Sequence, residues 1–194
     1  MSKAQRSTWM GPIATVFLLL LIVGAVAYIT QVVRRGGQGL PPPPVPEEPQ
    51  DTGLAMHYDW EAYNAAGEPF DMQSTQGKAV FLNIWATWCP PCVAEMPSIQ
   101  RLYDTVGGEE GIAFVVIARD SPNAVQQFIA EHGLTMPVYT TPVIPVELDP
   151  PAIPTTYIVA PDGRIVFQHE GAAAWDDPAV ADFLRQLAAQ TAEQ

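Results

Sequence analysis

The apolar run Ala79-Val80-Phe81-Leu82-Asn83-Ile84-Trp85 leads through Ala86-Thr87-Trp88 into Cys89-Pro90-Pro91-Cys92, which holds both cysteines of the chain. The run, bounded by Gly77, reads as a buried strand. Beyond the cysteines, Ile99, Leu102 and Tyr103 recur at helical spacing, so a helix follows directly. The cysteine pair therefore occupies a strand-to-helix turn.

That position determines what the sulfurs could do. A thiolate in the first turn of a helix lies near unpaired backbone N–H groups and the positive end of the helix dipole. Both lower its pKa and make it a better nucleophile and leaving group. Cys89, at the turn, is expected to be the exposed attacking sulfur. Cys92, one turn in, is expected to be the shielded sulfur that resolves a mixed disulfide. Pro90 and Pro91 suit the first helical positions, where a missing N–H costs little, and they stiffen the loop. Two other uses of the pair compete. A zinc site needs about four ligands, and His57, His132 and His169 stand at no ligand spacing. A purely structural disulfide across so short a loop would restrict little of the unfolded chain.

With 48% apolar residues among 194, the chain can bury one good core. The formal charge is −12, and residues 1–40 carry Lys3, Arg6, Arg34 and Arg35 with no acid, which leaves −16 on the rest. So acidic a body disfavours nucleic acid and suits neutral or basic partners, or serves solubility alone. Residues 1–11 are polar and read as a cytoplasmic tail. Residues 12–33 are almost wholly apolar and read as a transmembrane anchor, since about 20 such residues cross a bilayer as a helix. Ala25-Val26-Ala27 has the form of a signal-peptide cleavage site, but the apolar run continues beyond it to Val33, which favours an uncleaved anchor. No cysteine follows that run, so a lipoprotein anchor is not expected. Residues 34–55 read as a linker in which glycines give a flexible joint and prolines an extended spacer rising about 3.1 Å per residue. The folded domain is left with residues 56–194.

Within that domain, Tyr58-Asp59-Trp60 and Glu68-Pro69-Phe70-Asp71 suggest a short hairpin around Ala65-Ala66-Gly67. Ile112 to Ala118 reads as a second buried strand, and strand, helix and strand in this order indicate a parallel βαβ unit. A helix is predicted after the Ser121 cap with Val125, Phe128 and Ile129 inward and Gly133 at its end. Met136 to Tyr139 reads as a short edge strand. Thr155 to Ala160 and Ile165 to Gln168 form a β-hairpin through the Asp162-Gly163 turn. A last helix is expected over Asp177 to Ala189 with Val180, Phe183, Leu184 and Leu187 inward, and Trp175 packs on the sheet.

The stretch Phe81 to Cys92, followed by Glu95-Met96-Pro97, resembles the TlpA/ResA-like branch of the thioredoxin superfamily, the membrane-tethered thiol:disulfide reductases of bacteria. The likeness continues through Ile153-Pro154-Thr155-Thr156-Tyr157-Ile158-Val159 and Pro161-Asp162-Gly163-Arg164-Ile165-Val166, and covers roughly residues 56–190. It implies an α/β thioredoxin-like fold, a central mixed sheet flanked by helices, with an N-terminal hairpin extension and one preceding transmembrane helix. It implies Cys89 and Cys92 as a redox-active disulfide needing no cofactor and no metal. Pro154 matches a proline that is cis in this fold and lies against the cysteine pair. There it would present the Ile153 backbone as a rail for a substrate chain, with Trp88, Pro90 and Pro91 beside it. Glu95, three residues after Cys92 on the same helix face, matches an acid of ResA-like members. It could exchange the Cys92 proton if burial raises its pKa; an exposed acid in a first helical turn is the plain alternative. Asn83 stands where cytoplasmic thioredoxins have a buried aspartate, which leaves Glu95 as the candidate acid.

Implied partners are disulfide-containing extracytoplasmic clients, a membrane dithiol electron donor, and the lipid bilayer through residues 12–33. The implied setting is the bacterial inner membrane with the redox domain in the periplasm or outside, in cytochrome c or copper-oxidase assembly. Two alternatives stay open: a disulfide-forming oxidase of the same fold, since reduction potential chooses the direction, and a redox-inactive adaptor or metallochaperone.

Overall fold

The computed structural model describes residues 39–190. The expected tail at 1–11 and anchor at 12–33 lie outside the described residues; among the described residues no helix is long and apolar enough to cross a membrane. In chain order the elements are β1 (Ala62–Asn64), β2 (Pro69–Phe70), β3 (Ala79–Trp85), α1 (Pro90–Val106), β4 (Ile112–Ala118), α2 (Pro122–His132), β5 (Val138–Thr140), β6 (Thr155–Val159), β7 (Ile165–Glu170) and α3 (Pro178–Ala189). The strands form one sheet of order β2-β1-β5-β4-β3-β6-β7.

The sheet is mixed because its two halves are connected differently. The crossover through α1 makes β3 and β4 parallel, from Ala79 opposite Ile112 to Trp85 opposite Ala118, and β5 continues that sense. The tight turn at Gly163, with φ 89, reverses the chain, so β6 and β7 pair antiparallel, and β6 adds antiparallel to β3. Every residue of β3 is buried, which is why the strand is apolar on both faces. Phe81 and Trp85 enter a core shared with Met96 and Ile99 of α1, Phe128 of α2 and Leu184 of α3. Val80, Leu82 and Ile84 point the other way, into a core closed by Met56, Met72, Leu148 and Tyr157. By the two-residue alternation of a strand, Asn83 shares the helix-covered face with Phe81 and Trp85. The Asp177 side chain accepts from Ala179 N to cap α3, whereas Ser121, at the N-cap of α2, makes no side-chain cap bond.

Three local expectations need correction. The first strand starts at Ala62 rather than at Tyr58: residues 58–60 are irregular, with the Trp60 indole N–H donating to His57 O at 2.9 Å. The strand after α2 is interior, because β1 covers its free side antiparallel, with Tyr63 opposite Thr140; an uncovered edge would leave N–H and C=O groups unpaired. The proline-rich stretch is no free spacer over its described part. Ala174 N donates to Pro41 O at 2.8 Å, Gln50 N to Val166 O at 3.3 Å, Ile165 N to Leu54 O at 2.9 Å and Met56 N to Gly163 O at 2.9 Å. Pro43 is buried, and Val45 packs against the helix-side core. The compact unit accordingly begins at Leu40 instead of residue 56. A run of prolines has no N–H groups to satisfy and is already extended, so it can lie along a surface at little cost.

Candidate active site

Cys89 is the N-cap of α1, with extended backbone, and Pro90 and Pro91 occupy the first helical positions. The Cys92 backbone N–H donates to Cys89 Sγ at 3.3 Å, and the two cysteines are joined in a disulfide with their Cα atoms 5.2 Å apart. A helix start thus directs a peptide N–H and the dipole at the outer sulfur, as the turn position implied. The turn itself is braced by a residue that sequence reasoning missed: Asp120 accepts from both Thr87 N and Thr87 Oγ1, each at 2.8 Å.

The expectation of an exposed Cys89 is corrected. Cys89 is only 5% exposed, and Cys92, on the core-facing side of α1, is fully buried. The Ile153 carbonyl oxygen lies 3.8 Å from Cys89 Sγ, and the Ile153–Pro154 peptide bond is cis. Pro154 is buried and its carbonyl accepts from Gly171 N at 2.8 Å, so the carbonyl beside the sulfur is that of Ile153 alone. Arg119 holds this loop from below, pairing with Asp149 and donating to Pro150 O at 3.1 Å. Around the sulfur the surface is apolar and open: Trp88 is 68% exposed, and Pro90 and Pro91 are exposed.

Glu95, one turn beyond Cys92, is completely buried rather than a solvated acid. Its Oε1 accepts from Asn83 Nδ2 at 2.9 Å; its Oε2 accepts from Trp175 Nε1 at 2.8 Å and from Ala173 N at 3.2 Å. Among the described residues no cation pairs with it. Burial therefore dominates and pushes the carboxyl up to about 7, with the bonds from Trp175, Asn83 and Ala173 pulling the other way. Asn83 also donates to Thr156 Oγ1 at 2.8 Å, and its own Oδ1 has no partner. Trp175, Ala173 and Thr156 were not foreseen as site residues. Glu95 and Trp175 stand 80 positions apart, and no local pattern links them.

The site therefore pairs a disulfide that one side of the protein can reach with an acid that solvent cannot. Among the described residues no three His, Cys, Asp or Glu side chains converge to hold a metal ion. A separate surface cavity of about 590 Å³, lined by residues including Trp60, Val143 and Glu147, contains none of the predicted site residues.

The sequence profile of the Redoxin family matches residues 59–187. The chain is 40% identical over 110 residues to the thiol-disulfide oxidoreductase ResA of Oceanobacillus iheyensis, covering 54% of this chain and 56% of that one. It is 36% identical over 109 residues to the protein of the same name from Halalkalibacterium halodurans, covering 54% and 61%. It thus spans about three fifths of the length of the curated relatives it matches. Among solved structures, a secreted Mycobacterium tuberculosis disulfide oxidoreductase homologous to E. coli DsbE superposes with a TM-score of 0.51. That match has 27% identity and covers 71% of this chain and 97% of the other.

Proposed function

Because the chain belongs to the Redoxin family, in its ResA/TlpA-like branch, we propose that it is a membrane-tethered thiol:disulfide oxidoreductase that reduces disulfides of extracytoplasmic client proteins. The observation that carries this reading is the disulfide at the tip of α1, with the Ile153 carbonyl 3.8 Å from its outer sulfur and Glu95 buried behind it.

In the dithiol state, the Cys89 thiolate is stabilised by the Cys92 N–H and the helix dipole. It attacks one sulfur of a client disulfide; the Cys89–client bond forms, and the second client sulfur leaves as a thiolate and takes up a proton. Glu95, as carboxylate, then accepts the Cys92 thiol proton. The Cys92 sulfur attacks Cys89, the intramolecular disulfide closes, and the first client sulfur leaves and is protonated in turn. Two electrons and two protons have passed to the client, and no cofactor takes part. An extended client segment would lie along the Ile153 backbone, with Trp88, Pro90 and Pro91 contacting it. A membrane dithiol carrier of electrons would return the Cys89–Cys92 pair to the reduced state.

The anchor at residues 12–33 would hold the domain on the outer face of the bacterial cytoplasmic membrane, and the paired β1 and β2 would serve as the N-terminal hairpin extension of this branch. The names of the relatives support thiol-disulfide chemistry; a place in cytochrome c or copper-oxidase assembly is part of the proposal. Cys92→Ser tests it, since the variant should stall with a client covalently held on Cys89 and releasable by reductant. A variant that captures no protein would remove the proposal. The direction is tested separately: a reductase should have a potential near or below about −270 mV, whereas a value near about −120 mV would make it an oxidase.

A further inference from the structure

Two of the three N–H groups on the Glu95 carboxylate come from one short loop between β7 and α3. The Ala173 backbone N–H and the Trp175 indole N–H both donate to Oε2, at 3.2 Å and 2.8 Å. The loop is gripped from two sides. On the inner side, Ser98 of α1 accepts the Trp175 backbone N–H at 3.1 Å, and its hydroxyl lies 3.2 Å from Ala173 O. On the outer side, Ala174, the residue between the two that reach Glu95, donates its backbone N–H to Pro41 O at 2.8 Å. Pro41 opens the proline run whose Pro43 is buried and whose neighbour Val45 packs on the same core.

We propose that the Pro41–Pro44 strap is a positioning element for Glu95: by holding Ala174 from outside, it keeps the Ala173 and Trp175 donors on the carboxylate. The inference rests on the proposed use of Glu95 as the proton partner of Cys92. Its physical basis is a balance. Full burial disfavours the carboxylate, and with no cation beside it only donated hydrogen bonds oppose that tendency. Anything that loosens the loop removes these two donors from the charged form and leaves the Asn83 bond alone to oppose burial. A proline run suits the task, since its conformation is largely set before it docks and little order is lost in holding it there.

Few other titrating groups can complicate the balance. Cys92, on α1, is tied in the disulfide; Asn83 of β3 and Thr156 of β6 do not titrate in this range. His169 of β7 stands behind the Trp175 ring, centroids 5.7 Å apart, and burial lowers its pKa, so it is neutral near pH 7. Asp176, next to Trp175, is turned to Arg101 at 2.7 Å.

The test is a pH titration of the Glu95 side-chain carboxyl by carbon-13 NMR in the oxidised full chain, its resonance assigned with Glu95→Gln. Replacing Pro41, Pro42, Pro43 and Pro44 together by glycine should raise the midpoint by about one unit, the shift expected when roughly one hydrogen bond to a charged group is lost. Pro43→Gly alone, which unseats the strap at its buried residue, should give a smaller shift of the same sign. Trp175→Phe deletes one donor directly and should raise the midpoint on its own. Adding the glycine replacement to it should then raise the midpoint by less than the replacement does alone, because both act on one oxygen. An unchanged midpoint in both strap variants, or full additivity with Trp175→Phe, overturns the inference. The titration involves no exchange reaction. Loss of client exchange with the shift intact would therefore sink the proposed function and leave the strap standing, and the reverse result would do the opposite.

Discussion

On the outer side of the first turn of α1, Trp88 is 68% exposed and Pro90 and Pro91 face solvent. One turn inward, Glu95 is enclosed by Asn83, Thr156 and Trp175, all without measurable exposure. The difference separates two requirements of disulfide exchange. Moving electrons to a protein needs contact between sulfurs, and in the proposed function the exposed apolar rim on the outer side is where a client chain would lie. Moving a proton near neutral pH needs a carboxyl whose pKa has been lifted, and burial does that lifting. One helix carries both, because its core-facing side buries Cys92 and Glu95, three residues apart, while Pro90 and Pro91 at its start stay exposed.

The largest expected effect lies on the outer side. Cys89→Ser should abolish exchange with every disulfide and trap nothing, whereas Cys92→Ser should still form the first mixed disulfide; nonreducing electrophoresis distinguishes them. If the two variants trapped equally, the assignment of outer and inner sulfur would be broken.

The inner side should reveal itself in stability against pH. The folded protein keeps the Glu95 proton up to about 7, while the unfolded chain releases it near 4.5. Between those values the folded state binds more protons, so this contribution is fully present below about pH 4.5 and is lost as pH rises through 7. The loss is up to about 3 kcal/mol. Urea unfolding at pH 5 and pH 8 measures it, and Glu95→Gln should flatten the slope. An equal slope in that variant would show that the buried acid does not titrate as described.

A smaller effect is expected from Asn83→Ala. Losing the donor shared by Glu95 and Thr156 should cost about 2 kcal/mol, read from the denaturation midpoint, and should raise the Glu95 titration midpoint further. The smallest is at the rim. Trp88→Ala should change stability by no more than about 0.5 kcal/mol while weakening client docking by about 1 kcal/mol. Its kcat/KM with a protein disulfide should fall while that with a small disulfide holds. A matching fall with both would mean that Trp88 acts on the sulfur rather than on the client.

Legibility followed the range of the interactions. The segment from β3 through the cysteine turn to β4 could be read because its burial is written into its own residues: every position of β3 is enclosed, and nearly every one is apolar. The reversal between β6 and β7 could be read from Asp162 and Gly163. The seat of residues 40–55 could not, since composition describes the prolines but not the surface that β7 and the loop before α3 offer them. The interior place of β5 depended likewise on β1 arriving from far away in sequence.

By itself the sequence determined the pair of sulfurs, their place at a helix start and the apolar strand behind them, because caps, turns and alternation act over a few residues. Tertiary structure alone decided that the Ile153 carbonyl lies against Cys89 across 64 positions and that Trp175 reaches Glu95 across 80. It also decided how deeply that carboxyl is buried. Desolvation is a sum over everything packed around a group, and no stretch of neighbouring residues contains that sum.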